Sequence, residues 1–225
     1  MEKSYAKRHV AVIENCIMSE AGLSHLFNSY GLKSFQLHFF KDYAAFKSES
    51  ATINFMAIIF SLPGLRAQRI TCLHNLVELT CANPTIKRIV LANDDTEARL
   101  MSLLSPSPTH GVISKDLKVK ELKDKLSSAL NETQWLSDDL PGEEFTIKHC
   151  GLSPTEREIL HYMTYGYSLP EIAHHLSRNI KTVRAHKFNA MTKLGVHSDA
   201  GLLDAADILM HITTDKASFS AHAFM

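Results

Sequence analysis

Two periodicities alternate along the first 130 or so residues. The short apolar runs HVAVIE, FQLHFF, NFMAIIF, KRIVLAN and HGVIS have the length and the β-branched or aromatic content of buried strands. Between them, residues 20–30, 41–48, 66–81, 97–104 and 118–130 place apolar side chains three and four apart, which lines up one face of a helix. Five strands interleaved with five helices predict an α/β domain over residues 1–132, a doubly wound five-stranded parallel sheet. The functional loops of such a sheet leave the carboxyl ends of its strands, here near Glu14, Phe60, Asn93 and Ser114.

The alternation stops after residue 132. SDDLPGEE joins a turn signal to four carboxylates, and residues 133–150 read as a solvated linker. From 151 to 212 every pattern is helical, and residues 213–225 have no clear period and read as a tail. Helix starts in the 151–212 segment are marked chemically. In Ser153-Pro154-Thr155-Glu156 the serine oxygen can accept from the Glu156 amide while the carboxylate reaches back, with proline at the first helical position. Ser168-Leu169-Pro170-Glu171 repeats the device, Asn179 can cap a third helix that Gly195 ends in a left-handed conformation, and Ser198 can cap a fourth running to about His211. The second and third helices are separated only by Leu176 to Arg178, the short connection of a helix-turn-helix. Ile172, Ala173, Leu176, Ile180, Val183, Met191 and Leu194 can supply the inward face of this four-helix, all-α domain.

Charge changes the picture locally rather than globally. The chain has 24 Lys and Arg against 24 Asp and Glu, a formal net charge of zero, which taken alone argues against a nucleic-acid binder. Yet Arg178, Lys181, Arg184, Lys187 and Lys193 fall within a stretch from Arg178 to Val196 that contains no acid. Lys181, Arg184 and Lys187 step by three along the third helix as one basic stripe, with Thr182, Ala185 and Phe188 beside it. A helix N-terminus with such a stripe suits the major groove: lysines hold phosphates, an arginine binds guanine through two hydrogen bonds, and Phe188 can touch a thymine methyl.

Other chemistries find no support in the residues. No apolar run approaches the roughly 20 residues needed to cross a bilayer, and the N-terminus lacks a cleavage site, so a cytoplasmic protein without a membrane role is expected. Cys16, Cys72, Cys81 and Cys150 form no CxxC pair and read as buried reduced thiols. Thirteen histidines include no HExxH, and the His174-His175 pair has no further ligand at metal spacing, so neither metal nor cofactor is expected. Without a GxSxG, a P-loop or a catalytic Cys/His set, no enzyme is expected either.

LSPTEREIL, GYSLPEIAHHL, NIKTVRAHKFNAMTKLGV and SDAGLL together resemble the DNA-binding domain of the LuxR/NarL family of transcription regulators. The resemblance implies base contacts from Arg184, Ala185 and Phe188, and phosphate contacts from Lys181, Thr182 and Lys187. It also implies that the fourth helix pairs two domains, making Asp199, Leu202, Leu203 and Ala206 candidates for a dimer contact.

In that family the first domain is a receiver of the CheY/flavodoxin-like fold, which accepts a phosphoryl group on an aspartate beside a Mg²⁺ held by carboxylates. Here Glu14-Asn15 follows the first strand where two acids are usual. Aligning Ser61-Leu62-Pro63-Gly64 with the loop after the acceptor places Ile59 at the acceptor position, and the usual hydroxyl falls on Ala92. Only Lys115 is retained, so the domain resembles a receiver without receiver chemistry. Asp94 with Glu97 reads as a helix cap rather than as a replacement metal site.

On SRNIKTVRAHKF, DDTEARL and SLLSPSP the whole chain resembles auxiliary members of this family. That implies an activator, independent of its own phosphorylation, that binds double-stranded DNA as a heterodimer with a response regulator of the RcsB type. Five basic residues on or just before one helix offer few phosphate contacts, whereas a dimer doubles them and sets half-sites about one helical turn apart. The alternative is a homodimeric regulator that senses a small ligand through its first domain.

Overall fold

The computed structural model describes residues 8–29, 32–105, 109–131 and 151–210. The linker expected at 133–150, the tail expected at 213–225 and Cys150 lie outside the described residues. Contacts divide the described chain into two compact units, residues 8–99 with 109–131 and residues 151–210 with 100–105.

The first unit alternates β1 (Arg8–Ile13), α1 (Ile17–Ser29), β2 (Phe35–Phe40), α2 (Tyr43–Glu49), β3 (Phe55–Ser61), α3 (Arg66–Ala82), β4 (Lys87–Ala92), β5 (Gly111–Ser114) and α5 (Val119–Asn131). Helix α4 (Asp95–Leu104) lies between β4 and β5 in the chain. All pairings are parallel, in the order β2-β1-β3-β4-β5, so the doubly wound sheet expected from the alternation is the one observed. The order reverses at β1, and the crevice outside the carboxyl ends of β1 and β3 is where such sheets place ligands.

Burial explains the apolar runs. One face of the central strands is covered by α1 and α5: Val10, Val12, Ile59, Ile89, Leu91 and Ile113 pack with Leu23, Leu26 and Phe27 of α1 and Leu126, Ala129 and Leu130 of α5, while Ala11, Ile58, Phe60 and Val90, which alternate with them, are buried on the other face. The helical residues recur at i, i+3 and i+4, as a single covering face requires. Tyr43 and Phe46 of α2 join a ring cluster with Phe40, Phe55 and Phe60, at centroid separations of 5.5 to 6.2 Å. Asp42 starts α2 by accepting from the Ala45 amide at 2.8 Å. Of the cysteines, Cys72 is buried, with its thiol pushed up to about 12 by that burial, but Cys16 and Cys81 are exposed. This corrects the expectation of buried thiols: Cys16 lies in the β1–α1 loop and Cys81 in the last turn of α3.

At the start of β5, His110 accepts the Arg88 amide on Nδ1 at 3.0 Å. Burial, and then the charges of Arg88 and Lys87, depress its pKa to about 4. Because the folded imidazole resists a proton that the unfolded one takes near 6.5, its contribution to stability is complete above that value and is lost as pH falls toward 4. A series of urea titrations should therefore show the N-terminal unit weakening over this window. His110→Asn should flatten that dependence, and an unchanged slope in the variant would assign it to other groups.

The second unit holds α6 (Pro154–Thr164), α7 (Leu169–His175), α8 (Ile180–Leu194) and α9 (Asp199–Met210). Ile159, Ile172, Ala173 and Val183 form its core, with Tyr162, Met163, Leu169, Leu176 and Ile180 packed against them. α9 packs on α6 and α8.

Candidate nucleic-acid interface and carboxyl-end cavity

The geometry of the C-terminal unit begins at its caps. Ser153 accepts the Glu156 amide at 3.3 Å, and Glu156 Oε2 accepts the Ser153 amide at 2.7 Å. The same carboxylate, 3% exposed, receives Lys193 Nζ at 3.0 and 2.7 Å, so one buried acid ties the start of α6 to the last turn of α8. Burial alone would raise the Glu156 pKa, but the hydrogen bonds from Lys193 and from the Ser153 amide outweigh it, and the net shift is downward. At the second box Glu171 accepts both the amide and the hydroxyl of Ser168, at 2.7 and 2.6 Å. Its carboxyl is likewise held below the ordinary value by Ser168.

The α7–α8 turn is tight because Ser177 adopts φ 48°, a left-handed conformation that side chains resist. Its amide donates to His174 O at 3.1 Å and the next amide, of Arg178, to Ala173 O at 2.9 Å. Asn179 then accepts the Lys181 amide at 2.8 Å, which starts α8, and Gly195 ends it at φ 63°. Ser198 accepts the Gly201 amide at 3.1 Å and so caps α9.

α8 buries Val183, Ala190 and Leu194 and turns Lys181, Thr182, Arg184, Ala185 and Phe188 outward. Phe188 is 67% exposed, an apolar ring left in water on a basic surface. Five of the six expected contact residues thus share one exposed surface. The sixth, Lys187, is turned toward α9, with its ammonium 2.7 Å from each oxygen of Asp199. Lys193 is spent on Glu156. Arg178, exposed immediately before the cap of α8, belongs to the basic stretch but not to the contacts expected from the sequence. Its place ahead of the Asn179 cap was the available signal.

The four residues expected at a dimer contact separate. Leu202 and Ala206 are fully buried, which corrects that expectation for both: the apolar face of α9 completes the domain's own core. Asp199 is exposed and Leu203 half-buried.

At the carboxyl end of the sheet a cavity of about 630 Å³ is lined by residues that include Glu14, Asn15, Ser61, Asn93 and Lys115. Glu14 is buried, with Oε1 accepting the Cys16 amide at 2.8 Å and Oε2 the Ser61 hydroxyl at 2.5 Å. Lys115 Nζ donates to Asn93 Oδ1 at 3.3 Å and to Leu62 O at 3.4 Å, and lies 4.0 Å from Glu14. Ile59, expected at the acceptor position, is instead buried in the sheet core, and the side chain facing Glu14 is Ser61, two residues further along the same face of β3. Ser61, read from the sequence as the first residue of the loop, is the last residue of β3. Ala92 is buried and offers no hydroxyl. Asp94 accepts the Glu97 amide at 2.7 Å, and Glu97 takes the Asn93 amide at 2.6 Å, so this pair caps α4. Among the described residues no three His, Cys, Asp or Glu side chains form a group that could hold a metal. No described helix is long and apolar enough to cross a membrane.

Comparison with known proteins gives this arrangement its context. Residues 151–206 match the family of bacterial regulatory proteins, luxR family. The chain is 44% identical over 218 residues to the transcriptional activator protein BglJ of Escherichia coli K12, covering 97% of each. It is 30% identical over 138 residues to the transcriptional regulatory protein RcsB of the same strain, covering 59% of this chain and 63% of that one. RcsB from Salmonella enterica serovar Typhimurium, solved bound to promoter rprA, shares the fold with a TM-score of 0.68 at 23% identity, over 90% of this chain and all of that one. Near-complete coverage by an activator of this type and a luxR-type helix-turn-helix at the C-terminus lead to one conclusion: the chain belongs to the LuxR family of bacterial transcription regulators and is a homologue of the activator BglJ.

Proposed function

We propose that this chain is one half of a DNA-reading heterodimer, a transcription activator paired with a response regulator such as RcsB and independent of its own phosphorylation. The observation that carries the reading is the combination of an exposed recognition surface on α8 with a receiver-like cavity in which β3 ends in a serine, not an acid, bonded to Glu14. Arg184, Ala185 and Phe188 meet base edges, while Lys181, Thr182 and Arg178 meet phosphates. Asp199 and Leu203 are the accessible members of the α9 contact set. The division into a receiver-like domain, residues 1–132, a linker, 133–150, a DNA-binding domain, 151–212, and a tail, 213–225, belongs to the same reading, as do cytoplasmic location and the absence of enzymatic activity.

Native mass spectrometry of an equimolar mixture with RcsB tests the pairing: a one-to-one complex is expected, and separate homodimers would count against it. Exposure to acetyl phosphate followed by intact-mass measurement should leave the chain unmodified, whereas stoichiometric addition of a phosphoryl group would end the phosphorylation-independent reading. The open cavity favours a second reading, a homodimer that senses a small ligand there. A metabolite screen that raises the melting temperature of wild type but not of a Ser61→Phe variant would support it.

A further inference from the structure

The basic stripe of α8 is interrupted by an internal anion. Lys187 lies one step of three beyond Arg184, yet its side chain is only 14% exposed and its ammonium touches both oxygens of Asp199, which is 66% exposed at the start of α9. Arg178, Lys181 and Arg184 are exposed and carry no ion pair among the described residues. A carboxylate and a phosphate diester offer a lysine the same chemistry, an oxyanion that accepts charge-assisted hydrogen bonds.

We infer that Asp199 is an intramolecular stand-in for a DNA phosphate: it holds Lys187 off the duplex, so that the recognition helix meets the DNA backbone one cation short. This rests on reading α8 as the DNA-facing helix. Asp199 thereby sets how many phosphates the domain neutralises without itself touching DNA, and Lys187 serves as a strut between α8 and α9. Each phosphate neutralised contributes about 0.9 to the slope of log affinity against log salt concentration, so the count of engaged cations is directly measurable.

The experiment uses the full chain and a fluorescently labelled duplex of arbitrary sequence, with anisotropy titrations across a salt series. Lys187→Met is expected to keep the wild-type slope, and Lys181→Met to lower it by about 0.9. Asp199→Asn, which keeps the size of the side chain and removes its charge, should steepen it by about 0.9, and Asp199→Asn combined with Lys187→Met should return it to the wild-type value. The inference is overturned if Lys187→Met loses as much slope as Lys181→Met. It is overturned equally if the gain from Asp199→Asn survives in the Lys187→Met background, since Asp199 would then act by general repulsion. If Lys181→Met also leaves the slope unchanged, the DNA-facing reading of α8 falls and takes this inference with it. Lys187→Gln, titrated alongside with circular dichroism, separates a lost strut from a misfolded domain.

Discussion

Alanine at Glu156 is expected to destabilise the C-terminal unit by about 2–3 kcal/mol, even though it lies outside the exposed basic surface of α8. The cap it completes on α6 is worth about 1 kcal/mol. Its charge-assisted hydrogen bonds with Lys193 and the Ser153 amide are worth roughly 1.5–3 kcal/mol each while intact. The sum is discounted because Lys193, 39% exposed, can return to water when its partner is removed. Urea unfolding followed by the helical signal should show the transition of this unit moving to lower urea, with Glu156→Gln intermediate because it keeps the side-chain volume and one acceptor. An unchanged midpoint in the alanine variant would mean that the carboxylate merely occupies the site. The sign of the pH dependence follows from the depressed pKa. The contribution of Glu156 is complete above the ordinary carboxylate value and is lost as pH falls through the lower folded value.

Arg184→Ala is expected to remove about 1–3 kcal/mol of discrimination between cognate and mismatched duplexes, the usual worth of a bidentate arginine–guanine contact. Arg184 is exposed on α8 between Val183, which anchors the helix in the core, and the small, exposed Ala185. Lys181→Ala should behave differently, weakening cognate and mismatched duplexes alike, since phosphates carry no sequence information. The check is a competition titration with both duplex classes. Equal losses on both for Arg184→Ala would move that residue to the phosphate class, and undiminished specific binding would remove it from the interface.

How much of this was readable beforehand depends on how local each cause is. The caps at Ser153, Asn179, Gly195 and Ser198 are interactions between residues two to three apart, or a backbone preference of one residue, and the structure places helix boundaries at each. The same holds for Asp94 and Glu97, whose role as a cap rather than a metal site follows from their spacing. The sheet was readable because strands buried on both faces leave continuous apolar runs. What escaped depended on partners distant in the chain. Lys187 looks like any other member of a basic stripe until Asp199, twelve residues later, is brought against it. Leu202 and Ala206 look available for a partner until the fold, in which α9 packs on α6 and α8, is seen to bury them. That Ser61 rather than Ile59 meets Glu14 was hidden for another reason: residues two apart share a strand face, so the apolar pattern does not distinguish them. Ser177 escaped because no residue type announces a left-handed serine.

The cavity in the N-terminal unit gives the functional account its physical basis. The polar groups at its floor satisfy one another: Glu14 is held by Ser61 and the Cys16 amide, and Lys115 bridges toward Asn93 and the backbone at Leu62. These bonds link the loops that follow β1, β3, β4 and β5 to one another. We propose that regulation then comes from the amount of this chain and from the identity of its partner.

The most direct test is to select duplexes from a random-sequence library with an equimolar mixture of this chain and RcsB, and to measure the affinity of the winning duplex for the mixture, for this chain alone and for RcsB alone. The account predicts two half-sites about one helical turn apart, bound tightly by the mixture and weakly by either protein alone. Specific binding by this chain alone that is as tight as binding by the mixture would contradict it.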